Sequence, residues 1–308
     1  MAEPTPLIEP VEITPPSSPV SSIGPTPLIE PVEVMRRADA ERWLVALDVD
    51  GTILHEDETV TEAVREEVAR VQALGHEVTL ATGRSWSTSL PVLERLGLTP
   101  EFVVCANGAL IMRRDVTSPD GYRREFTETF DPRPVLERIR SHLPEGRFMV
   151  EAPDGFRLYT DGMLDWNLEN ARKVEFDELG ATQATRVVVV SPDHDLEEFL
   201  TIVERMGLHQ VTYSIGWTAW LDIAPDGVNK ATALERVRAW HGIPLSRVIA
   251  IGDGRNDIDM FRWAGARGRA VAMGQAPTEV KDAATEVTET VGDDGLARVL
   301  AGFGETGR

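Results

Sequence analysis

The sequence predicts an α/β protein, a doubly wound parallel sheet interrupted by an inserted α+β domain. Three observations predict it. From Trp43 onward, short aliphatic runs alternate with stretches of helical periodicity. The runs end in Asp, Thr, Gly and Asn, the polar residues that gather at the carboxyl edge of a parallel sheet. The alternation breaks near residue 110, gives way to hairpin-like patterns, and resumes after residue 224.

The first forty residues stand apart. They are rich in Pro, Ser, Thr and Glu, and they carry a near-exact repeat, Pro4 to Ile13 and again Pro25 to Val34. Prolines at this density block helices and central strands. A disordered or extended tail is therefore expected over 1–41, and two roles stay open for it: a solvated leader, or a duplicated docking motif in which Leu7-Ile8 and Leu28-Ile29 anchor a protein partner. Met35 offers an alternative start that would leave the repeat untranslated.

The first part of the core is expected over 42–111. Leu44 to Leu47 is a buried strand that stops at Asp48-Val49-Asp50-Gly51-Thr52. Residues 59–74 place apolar side chains at helical spacing, and Gly75 ends that helix. A second strand, 77–81, closes in Thr82-Gly83-Arg84. A helix carrying Leu90, Val92, Leu93 and Leu96 leads to a third strand from Phe102 to Ala106, which ends at Asn107-Gly108-Ala109. Strand–helix–strand alternation implies parallel strands with right-handed crossovers.

The insertion is expected over 112–224. Residues 110–130 read as an exposed hairpin, 132–142 as a helix, and 147–160 as strands. Arg186 to Val190 is a strong strand, Asp195 to Met206 a helix, and 210–224 two further strands. The core resumes over 225–308, with a helix from Lys230 to Trp240 and a strand from Arg247 to Ile251. That strand runs into Gly252-Asp253-Gly254-Arg255-Asn256-Asp257, and shorter strands follow at 270–273 and 286–288.

Composition narrows the function classes. A chain of 308 residues with 42% hydrophobic content and no apolar stretch long enough for a bilayer is expected to be a globular protein, and its first residues lack the basic start and apolar core of a signal peptide. One cysteine, Cys105, rules out an internal disulfide and fits a cytoplasmic location. A net charge of −20 argues against nucleic acid or an anionic membrane as partner. Lysine occurs only at 173, 230 and 281, which singles out Lys230 beside a strand-edge motif.

Four features would converge at one crevice of such a sheet: Asp48 with Asp50, Thr82, Lys230, and Asp253 with Asp257. Each type meets a need of phosphoryl transfer. A carboxylate can attack phosphorus, and a second acid can protonate the leaving oxygen and then activate water. Mg²⁺ prefers a few carboxylates, for which Asp48, Asp253 and Asp257 are suited. A hydroxyl and an ammonium hold phosphoryl oxygens. Asp50, which needs a proton for its first task, should point away from the metal.

The five segments Asp48 to Thr52, Ala81 to Arg84, Asn107 to Ala109, Gly227 to Lys230 and Gly252 to Asp257 resemble the haloacid dehalogenase superfamily, and within it the Cof-type phosphatases. Ala272-Met273-Gly274 and Asp294-Gly295 match as well. The resemblance runs from about Trp43 to Leu300 and implies a Rossmann-like core with a mobile cap. It implies Asp48 as nucleophile and Asp50 as acid/base. Thr82 and Lys230 would bind the phosphoryl group, with Gly51, Thr52, Gly83 and Asn256 completing the phosphate set. Mg²⁺ would be held by Asp48, the Asp50 carbonyl and Asp253, with Asp257 in support. Arg84, Asn107 and Arg255 are candidate substrate contacts. Gly254, Arg255 and Gln275 depart from the usual pattern without removing a catalytic group.

The expected activity is hydrolysis of a small phosphorylated metabolite, a sugar phosphate or phosphorylated cofactor, through an aspartyl-phosphate. The alternatives are a phosphomutase or phosphotransferase on the same core, or a protein that binds a phosphorylated ligand and recruits a partner through its tail. His55, His76 and His241 are expected to be exposed, and Trp166, Trp217 and Trp220 to pack within the cap.

Overall fold

The computed structural model describes residues 42–162, 170–208, 211–215 and 219–304. The proline-rich repeat, with Leu7, Ile8, Leu28 and Ile29, and the tryptophans Trp166 and Trp217 lie outside the described residues.

In the first segment, β1 (Leu44–Leu47) is followed by α1 (Glu62–Ala73), β2 (Glu77–Leu80), α2 (Trp86–Leu96) and β3 (Phe102–Cys105). Thr61 caps α1 by accepting a hydrogen bond from the Val64 amide, and Gly97 ends α2 in the left-handed conformation. β3 continues into an antiparallel hairpin, β4 (Leu110–Arg114) and β5 (Tyr122–Thr127).

A second segment contains α3 (Arg133–Arg140), β6 (Arg147–Glu151), β7 (Arg157–Tyr159), β8 (Ala171–Lys173), β9 (Arg186–Val190), α4 (Leu196–Met206), β10 (Val211–Ile215) and β11 (Trp220–Pro225). The last contains α5 (Lys230–His241), β12 (Val248–Gly252), α6 (Ile258–Gly265), β13 (Arg269–Ala272), α7 (Thr278–Lys281), β14 (Glu286–Val287) and α8 (Gly295–Ala301).

Five of these strands form a parallel sheet in the order β14-β13-β12-β1-β2, with β1 between β12 and β2 though first in sequence. Successive residues of β1 feed opposite faces, as strand geometry requires. Val45 and Leu47 join Ile249, Ile251 and Leu80 under α1, α2 and α8. Leu44 and Ala46 join Val248, Ala250 and Ala270 under α5 and α6. Helices on both faces explain why the strands read as unbroken aliphatic runs.

A separate six-stranded sheet has the order β10-β11-β9-β6-β7-β8. Its Val187, Val189, Leu221 and Ile223 pack on α3 and α4 around Phe148 and Phe199. Alternate residues project to the opposite face: Met149, Val188, Val190 and Trp220, and with them the charged Glu151, Arg186 and Asp222.

Two expectations need correction. The hairpin at 110–130 is not exposed along its first strand. Leu110, Ile111 and Met112 are buried in the parallel-sheet cores, and the bridge from Ala81 to Val104 ties β3 and its hairpin to β2. The boundary drawn between 111 and 112 therefore falls inside β4. The histidines are not exposed either. The His241 ring is buried against Phe102, between Glu77 and Glu101, and burial lowers its pKa against the pull of Glu77. His76 Nδ1 accepts from the Trp43 amide, and its pKa too is lowered by burial. Period-2 and period-3.6 patterns count apolar residues only, so a histidine packed beside carboxylates leaves no trace in them.

Among the described residues, no helix is long and apolar enough to cross a membrane.

Candidate active site

The carboxyl edge of the parallel sheet brings together the residues that the strand ends singled out. Asp48 leaves β1 with its amide bonded to the Ile251 carbonyl at 2.9 Å, so the sheet itself fixes the backbone at Asp48. α5 begins with Asn229, whose side chain accepts from the Thr232 amide at 2.9 Å. That cap sets the first turn, and the first turn buries Lys230 completely. The Lys230 ammonium then donates to Asp48 Oδ1 at 2.6 Å and to Asp257 Oδ1 at 2.7 Å.

Asp257 is held from its other oxygen, which accepts from the Asp253 and Gly254 amides at 3.0 and 2.9 Å. Two glycines make room for the carboxylates. A β-carbon at Gly51 would run into the Asp253 carboxylate, and one at Gly252 into that of Asp257. Gly51 also has φ +73°, a conformation that other residues adopt at a cost. Gln275 supports Asp253, donating to its Oδ2 at 3.1 Å and to the Gly51 carbonyl at 2.5 Å.

Ligand atoms of Asp48, Asp253 and Asp257 all lie within 4.8 Å of one another, and the three residues are buried. Three carboxylates facing one ammonium carry a surplus of negative charge that burial makes expensive. Burial accordingly raises Asp48 well above the usual carboxylate range, with Asp257 adding to the effect and Lys230 opposing it. Burial, with Asp257, pushes Asp253 up to about 7. Burial works against the charge on Lys230, yet Asp257 and Asp48 outweigh it and raise its pKa. A hard divalent cation would remove this surplus, and all-oxygen donors suit one. The residues present therefore fit a metal ion.

Asp50 behaves differently from Asp48. Its side chain is 59% exposed and turned to Arg84, whose Nη2 and Nε donate to it at 2.6 to 3.1 Å. Arg84 is also within 3.2 Å of Glu58. Thr82 is buried beside this pair, and its hydroxyl oxygen accepts from the Arg84 amide at 3.0 Å, which leaves the hydroxyl proton free to donate. The Thr52 hydroxyl is buried with no hydrogen-bond partner among the described residues.

The structure places the three candidate substrate contacts unevenly. Arg84 is engaged by Asp50 and Glu58. Arg255 lines a narrow cavity with Asn107, Asp222, Lys230, Asn256 and Tyr213, and its Nε donates to Glu279 at 2.9 Å. Asn107 has both ends of its amide bonded, to Asp222 and to Asn256. Trp86 turns into the core, where it packs on Tyr122 and donates to Asp120. Cys105 is buried, and burial pushes its thiol up to about 12.

Sequence reasoning missed Asp222 and Arg186. Each interrupts an aliphatic strand, Leu221-Asp222-Ile223 and Arg186 before four valines, and a charge inside a buried strand is the signal that could have found them.

These features define a buried cluster of three carboxylates and one lysine at the carboxyl edge of a parallel α/β sheet. The chain belongs to the haloacid dehalogenase-like hydrolases, whose family model matches residues 45–300. The motif set places it with the Cof-type phosphatases of that family. It is similar to the Bacillus subtilis 5-amino-6-(5-phospho-D-ribitylamino)uracil phosphatase YitU, 28% identical over 271 residues, spanning 85% of this chain and 97% of that one. A second B. subtilis phosphatase with the same stated substrate, YcsE, is 26% identical over 280 residues, 86% of this chain and 97% of its own. Among solved structures, the subclass IIB sugar phosphatase BT4131 superposes with a TM-score of 0.71 at 20% identity, covering 85% of this chain and 99% of that one. BT1666 from Bacteroides thetaiotaomicron gives 0.67 at 22%, covering 92% and 99%. At these identities the structural likenesses speak to the fold.

Proposed function

We propose that the protein is a Mg²⁺-dependent phosphatase that hydrolyses a small phosphorylated metabolite, a sugar phosphate or a phosphorylated cofactor precursor, through an aspartyl-phosphate on Asp48. The observation that carries this reading is the buried Lys230 ammonium, 2.6 Å from Asp48 and 2.7 Å from Asp257, with a second aspartate two residues after Asp48 facing the opposite way. The relatives named for a phosphorylated ribitylamino-uracil support a polyol phosphate as the substrate class.

The Asp48 carboxylate attacks phosphorus, and the bond from phosphorus to the leaving oxygen breaks. That oxygen takes a proton from Asp50. Asp50, now a base, takes a proton from water, whose oxygen attacks the phosphorus and returns Asp48 as a carboxylate with release of inorganic phosphate. Lys230 and the Thr82 hydroxyl hold the phosphoryl oxygens as charge moves onto them. Asp48, Asp253 and the Asp50 carbonyl would hold Mg²⁺, with Asp257 supporting from behind through Lys230 and two amides. The ion would supply positive charge at the phosphoryl group.

The segment between the two halves of the parallel sheet would act as a cap, its Arg186 and Asp222 face turned to the site. The solitary buried Cys105 suits a cytoplasmic setting.

The test is phosphate release from a panel of phosphorylated sugars and cofactor precursors, with Asp48→Asn and EDTA run in parallel. Turnover that disappears in both arms is the expected result. Activity that survives Asp48→Asn overturns the covalent route. Faster transfer to an added sugar than to water would make the protein a phosphotransferase.

A further inference from the structure

A continuous hydrogen-bonded line runs from the metal-site turn into the second sheet. Asn256, between Asp253 and Asp257, donates from Nδ2 to Asn107 Oδ1 at 3.0 Å. Asn107 donates from Nδ2 to Asp222 Oδ2 at 2.9 Å. Arg186 closes the line, with Nε on Asp222 Oδ1 and Nη2 on Oδ2, both at 2.8 Å. The direction of each amide is fixed, because a carboxylate accepts and never donates. Asn107, Asp222 and Arg186 are all buried.

The backbone is shaped to hold Asn107 in this line. Ala106, Asn107 and Gly108 take φ +49°, +50° and +101° in succession, and two of them are not glycine. Strain of this kind persists only where the surroundings enforce it, and it collects at working sites. Gly83 makes room alongside. A β-carbon there would sit 3.2 Å from both amide atoms of Asn107 and 3.4 Å from Asp222 Oδ2.

Stability alone does not account for the Arg186–Asp222 pair. A buried ion pair contributes little net stability over apolar residues of the same volume, and its neighbours in β9 and β11 are valine, leucine and isoleucine. Its guanidinium also feels the charge of Asp50 in the active site.

From this geometry we propose that Asn107 is a positioning residue. It carries the seating of the second sheet, through Asp222, to Asn256 and so to the turn that presents Asp253 and Asp257. The phosphoryl site is then fully formed only when Asp222 is docked on Asn107. The inference rests on the phosphatase reading for its kinetic consequence, and on the hydrogen-bonded line alone for its structural one.

The discriminating variant is Asn107→Gly, which suits φ +50° and removes only the amide. The structural arm reads amide exchange over 220–225 upon addition of Mg²⁺ with beryllium fluoride, a phosphoryl mimic. Slower exchange is expected in the parent protein and no change in Asn107→Gly. Equal protection in both overturns the proposal, whether or not the protein turns over any ester.

The kinetic arm is a cycle of Asn107→Gly and Asp222→Asn with the best substrate of the panel. Each variant should lose about tenfold or more in kcat per folded molecule, the double variant no more than the worse single one, with KM nearly unchanged. Losses that multiply, a rise in KM alone, or a fall in melting temperature with kcat per folded molecule intact would each overturn it. Failure of the parent protein to release phosphate would count against the phosphatase reading and leave the exchange result to decide the coupling.

Discussion

Asp253 and Lys230 show how charge at single residues sets the behaviour of the site. The Asp253 carboxyl titrates at about 7 in the folded chain, raised by burial and Asp257 from an ordinary value of 3.8. Between those two pH values the folded, metal-free protein keeps a proton that the unfolded chain has released. Stability must therefore fall as pH rises from about 4 to about 7. A bound Mg²⁺ would replace that proton, so its stabilising effect should grow over the same interval. Melting curves in EDTA and in Mg²⁺ at pH 5 and 7.5 check this against Asp253→Asn, which should reduce both trends and leave the share that Asp48 supplies. A parent protein whose slope matches the variant's would remove Asp253 as their source. Lys230→Met leaves Asp48 and Asp257 buried without their cation and should cost about 3–5 kcal/mol in metal-free urea unfolding, with turnover abolished. These residues were legible in the sequence because each punctuates an aliphatic run at a strand end. Gln275 was not: it showed only as a departure from a pattern, while its contacts with Gly51 and Asp253 join residues more than twenty positions apart.

At the level of elements, the site depends on how closely α5 can approach the loop after β3. Gly108, at φ +101°, has no room for a β-carbon because the Asn229 carbonyl lies against it. Asn229 caps α5 and so sets the position of Lys230. Gly108→Ala should cost about 1–3 kcal/mol and, by shifting the start of α5, reduce kcat. Gly75 is the control. It also has positive φ, +89°, but opens on empty space, so Gly75→Ala should cost about 1 kcal/mol and leave turnover unchanged. Urea unfolding and initial rates on both variants separate backbone strain from displacement of the helix. The strands and helices that the sequence marked were readable to within a few residues because burial on two faces or one gives distinct periods, while β8, α6, α7 and α8 went unmarked. The hairpin β4–β5 was misread as exposed because its polar half, Arg113 to Arg124, masks the buried Leu110 to Met112 that precede it.

For the whole molecule, the break in alternation after residue 110 was enough to reveal a second sheet, since a parallel α/β pattern cannot absorb a run of hairpins. How that sheet is seated was not readable, because Arg186, Asp222 and Asn107 lie up to 115 residues apart and meet only in three dimensions. Net charge, by contrast, is a whole-molecule property written directly in the sequence. A chain at −20 repels a phosphate ester at long range, while on the proposed function Lys230 and a bound Mg²⁺ would attract it only within the cleft. The screening length falls to roughly 8 Å at physiological salt, which shortens the repulsion from the distant surface more than the attraction inside a buried site. Raising KCl from about 10 to about 150 mM should therefore increase kcat/KM by a few-fold, the reverse of the trend for enzymes with basic surfaces, with a larger gain for a bisphosphate than for a monophosphate. Initial rates at fixed free Mg²⁺ measure it. A fall in kcat/KM with salt would mean that the cationic groups around the site, Lys230, Arg84 and Arg186, govern the approach of substrate despite the surface charge.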